Sequence, residues 1–380
     1  MRYLPVHVVI LAKDEERCIG RCLDSVIGRG FSSIVVLDTG SVDSTCGLAA
    51  SYEAHGVQLV RIPWMESFAA ARNRALELFD SVWVFFVDAD EWLPVGEVEK
   101  LFGGLSALAN QPREDLAIAP VIYDVDRDSW VNEVPRVFFA SGCIEYRGEV
   151  HEYPVVSADG DSPVRLHKLN FTLNHDGYGR EVAVRKRKTQ RNLALLSAAR
   201  ERDPENPRWL YFSIRDGLPL HSPEFLLQAC NKLVEMADHK SSGGDRTNAG
   251  EYLRRALPLA SQNLGFHGWW SEVERNCVVL DELDGECSPD AQYLRRISDL
   301  WLGGLPDSSL SELIRIRKDD RIVAKSTLCP QGRHLDAVIA AGIEARYGGD
   351  EADRYRDMCA PWDDMFFVSS RIRMPQAELA

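Results

Sequence analysis

Val6-His7-Val8-Val9-Ile10-Leu11-Ala12 is a short run of β-branched and apolar residues, too brief for a helix and uninterrupted, as a strand buried on both faces would be. Polar residues follow, and then Cys18, Ile19, Cys22, Leu23 and Val26 recur at helical spacing until Gly28 and Gly30 stop the pattern. Ser33-Ile34-Val35-Val36-Leu37 predicts a second buried strand that ends at Asp38. A cap-rich loop, Thr39-Gly40-Ser41-Val42-Asp43-Ser44-Thr45, leads into a helix carrying Leu48, Ala49 and Tyr52. Residues 57–62 predict a third strand, residues 68–78 another helix, and residues 83–87 a fourth strand running into Asp88-Ala89-Asp90. Strands alternating with helices predict a parallel α/β sheet.

After residue 115 the pattern changes. Residues 116–123, 134–139 and 169–173 read as strands with no helices between them, so the sheet is expected to gain antiparallel members. Beyond Glu181 helices dominate, with apolar residues three and four apart over 182–199, 224–237, 249–260, 270–283 and 291–302. Ser241-Ser242-Gly243-Gly244 and Gly303-Gly304 punctuate them as loops, and the successive helical pairs suggest a degenerate helical-repeat array without a clean period. Asp203-Pro204-Glu205-Asn206-Pro207 marks the expected boundary between a catalytic domain, 1–203, and an α-helical domain, 204–380.

The charge of −14 over 380 residues is unevenly spread: residues 1–180 hold 16 basic and 27 acidic side chains. That half is a poor candidate for gripping nucleic acid, which needs clustered Lys and Arg. No apolar run approaches the roughly 20 residues of a membrane span or the core of a secretory signal. The nine cysteines are scattered and never spaced CxxC, which predicts reduced thiols in the cytoplasm, with Cys18 and Cys22 as packing residues.

Ligands of parallel α/β sheets gather at the carboxyl ends of the strands. Three of the first four predicted strands end in acid: Asp14 and Glu15, Asp38 and Asp43, Asp88 and Asp90. Helix capping accounts for Asp43, Ser44 and Asp14. It accounts badly for Asp88 and Asp90, which in extended conformation point the same way across Ala89. Two such carboxylates repel unless a cation sits with them, and hard oxygen ligands suit Mg²⁺ or Mn²⁺. Neither GxGxxG nor a P-loop occurs, which disfavours a dinucleotide-dependent oxidoreductase, and no nucleophilic Ser-His or Cys-His pair is readable.

Val8 to Glu16, Val36-Leu37-Asp38-Thr39-Gly40-Ser41-Val42-Asp43-Ser44-Thr45, Phe68-Ala69-Ala70-Ala71-Arg72-Asn73 and Val87-Asp88-Ala89-Asp90-Glu91 resemble, in order and spacing, the signature blocks of family-2 glycosyltransferases. The similarity continues through Tyr146-Arg147-Gly148-Glu149-Val150-His151-Glu152, Asn174-His175-Asp176-Gly177-Tyr178, Lys188-Thr189-Gln190-Arg191-Asn192 and Pro204 to Trp209. That extended pattern is similar to bacterial members with a tetratricopeptide-like helical tail, including ones that place a sugar on a peptide cysteine. The resemblance implies a GT-A fold, a Rossmann-like mixed sheet, followed by a helical domain that binds the acceptor or pairs two copies. It implies a UDP-sugar donor, with Asp38 on the uracil, backbone near Ala12 and Glu15 on the nucleoside, Arg72 near the donor and Asp88 on the ribose or sugar. Asp90 would hold Mg²⁺ or Mn²⁺, with His175 as a further ligand or, on the structural reading, a turn residue. The family pattern has Asn where this chain has Asp14.

Transfer with inversion needs a base for the acceptor proton. Glu152 matches the acidic position of the family's catalytic motif, with His151 the alternative; on a strand the two would face opposite sides. The implied acceptor is a peptide Cys or Ser/Thr side chain, with an envelope saccharide or glycolipid as the second enzyme reading and a non-catalytic helical scaffold as a reading of another class. Arg185-Lys186-Arg187-Lys188, with Arg180 and Arg191, reads as a solvated helix face, as a lip on the donor diphosphate, or as a guide for an acidic acceptor. Trp209-Leu210-Tyr211-Phe212 is expected to be helix–helix core.

Overall fold

The computed structural model describes residues 5–111, 113–126, 128–177, 188–238, 248–285 and 287–362. It divides into two compact units, Met1–Leu195 and Leu196–Ala380. In the first, β1 (Val6–Ala12), α1 (Ile19–Val26), β2 (Ser33–Asp38), α2 (Thr45–Ser51), β3 (Val57–Arg61), α3 (Phe68–Leu76) and β4 (Val82–Asp88) follow one another as the apolar pattern predicts. β5 (Glu91–Trp92), α4 (Glu97–Ala107), β6 (Leu116–Asp124), β7 (Ser129–Val131) and β8 (Val137–Ala140) come next. β9 (Ile144–Arg147), β10 (Tyr153–Val156), β11 (Ser162–Pro163) and β12 (Arg165–His175) complete the strands.

The main sheet runs β3-β2-β1-β4-β8-β6-β12-β5, with β7 on β6, and β9, β10 and β11 form a small antiparallel sheet of their own. β1 is parallel to both β2 and β4, and the register sets Ala12 opposite Asp38 and Leu11 opposite Asp88. The carboxyl ends of three strands therefore meet at one edge. The expected antiparallel members are present: β8 runs against β4 and β6, β7 against β6, and β5 against β12, while β12 is parallel to β6.

Both faces of the sheet are covered, which is why β1, β2 and β4 lack alternation. Along β4, Trp83, Phe85 and Val87 join a core with Ile19, Leu23 and Leu101, whereas Val84 and Phe86 join one with Ala69, Ala75 and Phe138. Cys18 and Cys22 are buried thiols, as expected of packing residues.

α5 (Lys188–Arg202) runs from the first unit into the second. α6 (Pro207–Gly217), α7 (Pro223–Asp238), α8 (Ala249–Phe266), α9 (Trp270–Asp284) and α10 (Pro289–Leu302) follow, then α11 (Asp307–Arg317), α12 (Asp320–Val323), α13 (Arg333–Tyr347) and α14 (Gly349–Arg356). Asn206 caps α6 by accepting from the Arg208 N–H at 3.1 Å, with Pro207 in the first turn where its missing donor costs nothing. Trp209, Leu210, Tyr211 and Phe212 are buried, as expected of core. Residues 182–187 of the first predicted helix, the loop at 241–244 and Arg180, Arg185, Lys186 and Arg187 of the basic run lie outside the described residues. No helix among the described residues is long and apolar enough to cross a membrane.

Candidate active site

A cleft of about 320 Å³ opens at the carboxyl edge of the sheet. Ala12 and Glu15 reach it from the end of β1, Arg72 from α3, Asp88 and Asp90 from the end of β4, and His175 from the end of β12. His151 and Glu152 line it from the connection between β9 and β10. Eight of the nine site residues expected from the sequence thus share one cavity. Asp38 does not line it, though its neighbour Thr39 does. The Asp38 carboxylate is buried and accepts from the Gly40 N–H at 3.0 Å and the Ser41 N–H at 3.1 Å, so it shapes the loop after β2. Asp14, with φ of 54°, accepts from the Val42 N–H at 2.8 Å; Asp, like the family's Asn, tolerates that left-handed backbone.

Two expectations need correction. β4 ends at Asp88, and Ala89 and Asp90 form a turn, so the two carboxylates do not sit side by side on an extended strand. Asp88 faces two arginines: Arg72 Nη2 at 3.0 Å and Arg136 Nη2 at 2.7 Å. Burial works to raise its pKa, but the two guanidinium groups outweigh that and hold it well below the usual carboxylate range. Asp90 faces His175 instead, with Oδ2 and Nε2 3.6 Å apart. Burial again works to raise the Asp90 carboxyl, and the imidazole outweighs it. The same contact raises the His175 pKa against its burial. Second, His151 and Glu152 precede β10, and the positive φ of His151, 53°, breaks the alternation of a strand. Both residues consequently line one cleft.

Glu152 Oε1 accepts from Arg72 Nε at 2.6 Å. Arg136, which carried no motif, also bonds both oxygens of Glu91, at 3.1 and 2.7 Å, and Glu91 Oε2 accepts the Asp88 N–H at 3.0 Å. Five side chains, Glu91, Arg136, Asp88, Arg72 and Glu152, therefore alternate in sign from β5 to the rim of the small sheet. Arg72 bonds Glu152 and Asp88, and Arg136 bonds Asp88 and Glu91, which leaves Glu152 at the cleft end of the series. Arg136 is the residue that sequence reasoning missed; its only local signal is an arginine directly before a buried strand.

The donor set suits a divalent cation in one place. Gly177 packs so closely that a Cβ there would lie 2.0 Å from Asp90 Oδ2 and 2.6 Å from His175 Nε2. The glycine keeps clear the space onto which a carboxylate oxygen and an imidazole nitrogen converge, a pairing compatible with Mn²⁺ and, less readily, Mg²⁺. Among the described residues no group of three or more His, Cys, Asp or Glu side chains forms a complete metal set, so further ligands would come from substrate or water.

A mixed sheet with acid-lined strand ends, followed by helices, is the arrangement expected of the GT-A fold. Residues 7–139 match the family model described as glycosyl transferase family 2. The chain is 29% identical over 210 residues to the SPbeta prophage-derived glycosyltransferase SunS of Bacillus subtilis, covering 54% of this chain and 48% of that protein. It is 39% identical over 189 residues to a TPR repeat-containing protein of Synechococcus elongatus, covering 46% and 43%. The chain thus matches about half the length of these curated relatives. A crystal structure of S. aureus TarS 1-349 in complex with UDP-GlcNAc is a looser likeness, with 11% identity, a TM-score of 0.41 and coverage of 91% and 92%.

Proposed function

We propose that this chain is an inverting, divalent-cation-dependent glycosyltransferase that moves a hexose from a UDP-sugar to a Cys or Ser/Thr side chain of a peptide. The observation that carries the reading is the Glu152–Arg72–Asp88 relay inside one cleft with Asp90 and His175. Ala12, Glu15 and Thr39 line the nucleoside end, while Asp88, fixed by two arginines, presents an ordered carboxylate to the ribose or sugar. Asp90 and His175 would hold Mn²⁺ or Mg²⁺, which when bound neutralises the diphosphate and stabilises charge on the leaving group.

Glu152 is the base. Arg72 fixes its orientation, and a carboxylate oxygen remains to take the proton of the acceptor as that atom attacks the anomeric carbon opposite UDP. Among the described residues no Ser or Cys lines the cleft, which supports one displacement and inversion over an enzyme-bound sugar on such a nucleophile. A thiol acceptor, with a pKa of about 8.5, asks less of the carboxylate than a hydroxyl does. The peptide acceptor rests on the resemblance to peptide-modifying members and on the helical unit, assigned to acceptor binding or to pairing two copies in the cytoplasm.

The test offers UDP-hexose and Mn²⁺ with candidate peptides and, separately, with lipid-linked saccharides, reading product by mass spectrometry. A hexose increment on peptide alone supports the proposal; transfer to saccharide alone moves the acceptor to the envelope. Full turnover in excess chelator or in Asp90→Asn overturns the metal role. Absence of UDP release with every acceptor and cation favours the scaffold reading.

A further inference from the structure

Of the basic run, Lys188 and Arg191 are among the described residues, and the surroundings of Arg191 are not those of a solvated helix face. It stands in the first turn of α5 and lines the cleft with Glu15, Trp64, Phe68 and Glu152. Its guanidinium carbon lies 4.9 Å from the centre of the Phe68 ring, and Phe68 meets Trp64 edge-on at 4.9 Å. Its hydrogen bonds run from Nε and Nη2 to Asn192 Oδ1, at 3.3 and 3.0 Å. Among the described residues it makes no ion pair.

Arg72 and Arg136, in the same site, are each held by two carboxylates; Arg191 is not. Burial pulls its pKa down, and Glu15 and Glu152 offset that only in part, from across the cleft. A half-buried guanidinium without a contact anion is partly desolvated at a cost, and it keeps donors in a planar fork that matches phosphate. Its aromatic seat fixes the plane of that fork.

We propose that Arg191 is the anion-binding residue of the cleft and takes a phosphoryl oxygen of a nucleoside diphosphate. The assignment rests on the UDP-sugar reading above and adds the residue that reads its diphosphate. Arg191 feels Glu15, in the turn after β1, and Glu152, the base, and the diphosphate is the part of the donor between nucleoside and transferred sugar. An acidic acceptor segment fits less well, because it would approach Glu152 against like charge without the divalent cation that accompanies a diphosphate. In transfer the bond from the anomeric carbon to the phosphoryl oxygen breaks, its electron pair stays on that oxygen, and the acceptor proton goes to Glu152. Arg191 faces the charge that then builds on UDP.

Calorimetric titration of the full chain with UDP and with uridine, in Mn²⁺, tests this. In Arg191→Gln the UDP affinity is expected to fall at least about tenfold with uridine unchanged, and Arg191→Lys, which keeps the charge but not the fork, should recover part of the loss. Circular dichroism and thermal melting check that both variants fold. Wild-type affinity for UDP in Arg191→Gln overturns the assignment, and an unchanged UDP affinity with a raised KM for acceptor transfers the residue to acceptor recognition. A wild-type chain that binds UDP no better than uridine refutes the donor reading itself, and this inference with it.

Discussion

Arg72 joins Glu152 to Asp88: Nε meets one carboxylate at 2.6 Å and Nη2 the other at 3.0 Å, although Glu152 lies 80 residues further along the chain. The arginine is almost wholly buried, so removing it takes the guanidinium from Glu152 and leaves Asp88 with Arg136 alone. Arg72→Met should destabilise the first unit by about 3 kcal/mol, the low end for breaking a buried pair because Asp88 keeps Arg136 and some exposure. Turnover should drop by more than the loss of folded protein explains. Urea melts beside single-turnover rates check this, and a variant that is unstable yet fully active per folded molecule would reduce Arg72 to a structural strut.

The same geometry separates the two candidate bases. Glu152→Gln keeps size and removes the proton acceptor, so kcat should fall by roughly 10²- to 10⁴-fold with little change in KM for donor. His151→Asn is the matched control, since Asn tolerates the left-handed backbone seen at φ 53°, and should cost less than about tenfold. Reversal of the two effects would make His151 the base.

How much of this was readable in advance follows from the range of each interaction. The β1, β2 and β4 strands and the acids at their ends were legible because a strand buried on both faces writes an unbroken apolar run, as Val8 to Leu11 and Trp83 to Val87 do. The relay was not, because Arg136 and Glu152 reach Asp88 and Arg72 through sheet order and a bend, and neither leaves a periodic trace. The bend at His151 depends on one backbone angle that a His-Glu pair does not announce. Past about residue 215 no motif was matched, and the helices past 305 are set by packing of Leu310, Leu313, Ile316, Val338 and Ile339.

Gly177 offers a test of the cation site that leaves every proposed ligand in place. A Cβ there would fall 2.0 Å from Asp90 Oδ2, so Asp90 or the turn has to move. Gly177→Ala should weaken Mn²⁺ binding at least about tenfold in the presence of UDP, a loss on the scale reported for displaced ligand support, with the helical signal retained. Electron paramagnetic resonance of free Mn²⁺ reads this without turnover. Unchanged Mn²⁺ affinity would place the cation elsewhere in the cleft.

The helical unit carries a titration of its own. His334 on α13 is fully buried, with Nε2 3.3 Å from Asp290 Oδ1 on α10, and Asp290 also accepts from Ser326 Oγ at 2.5 Å and from the Thr327 N–H at 2.8 Å. Burial works to lower the His334 pKa, but Asp290 outweighs it and the value rises above the ordinary 6.5. A histidine with a raised folded pKa contributes stability that is full below 6.5 and is lost as pH climbs through the folded value. Asp290 has the opposite sign: its pKa falls below 3.8 against the pull of burial, so its contribution is full above 3.8 and lost in stronger acid. Cys329, pulled down by His334 against its burial, would add a rise of its own at high pH, so Cys329→Ala is the proper background. In that background the urea midpoint of the helical unit should be highest between about pH 4 and 6.5 and fall as the pH rises above 6.5. His334→Asn should lower the midpoint in the acid window and flatten the alkaline fall; a fall of unchanged steepness would show that another group sets the pH dependence.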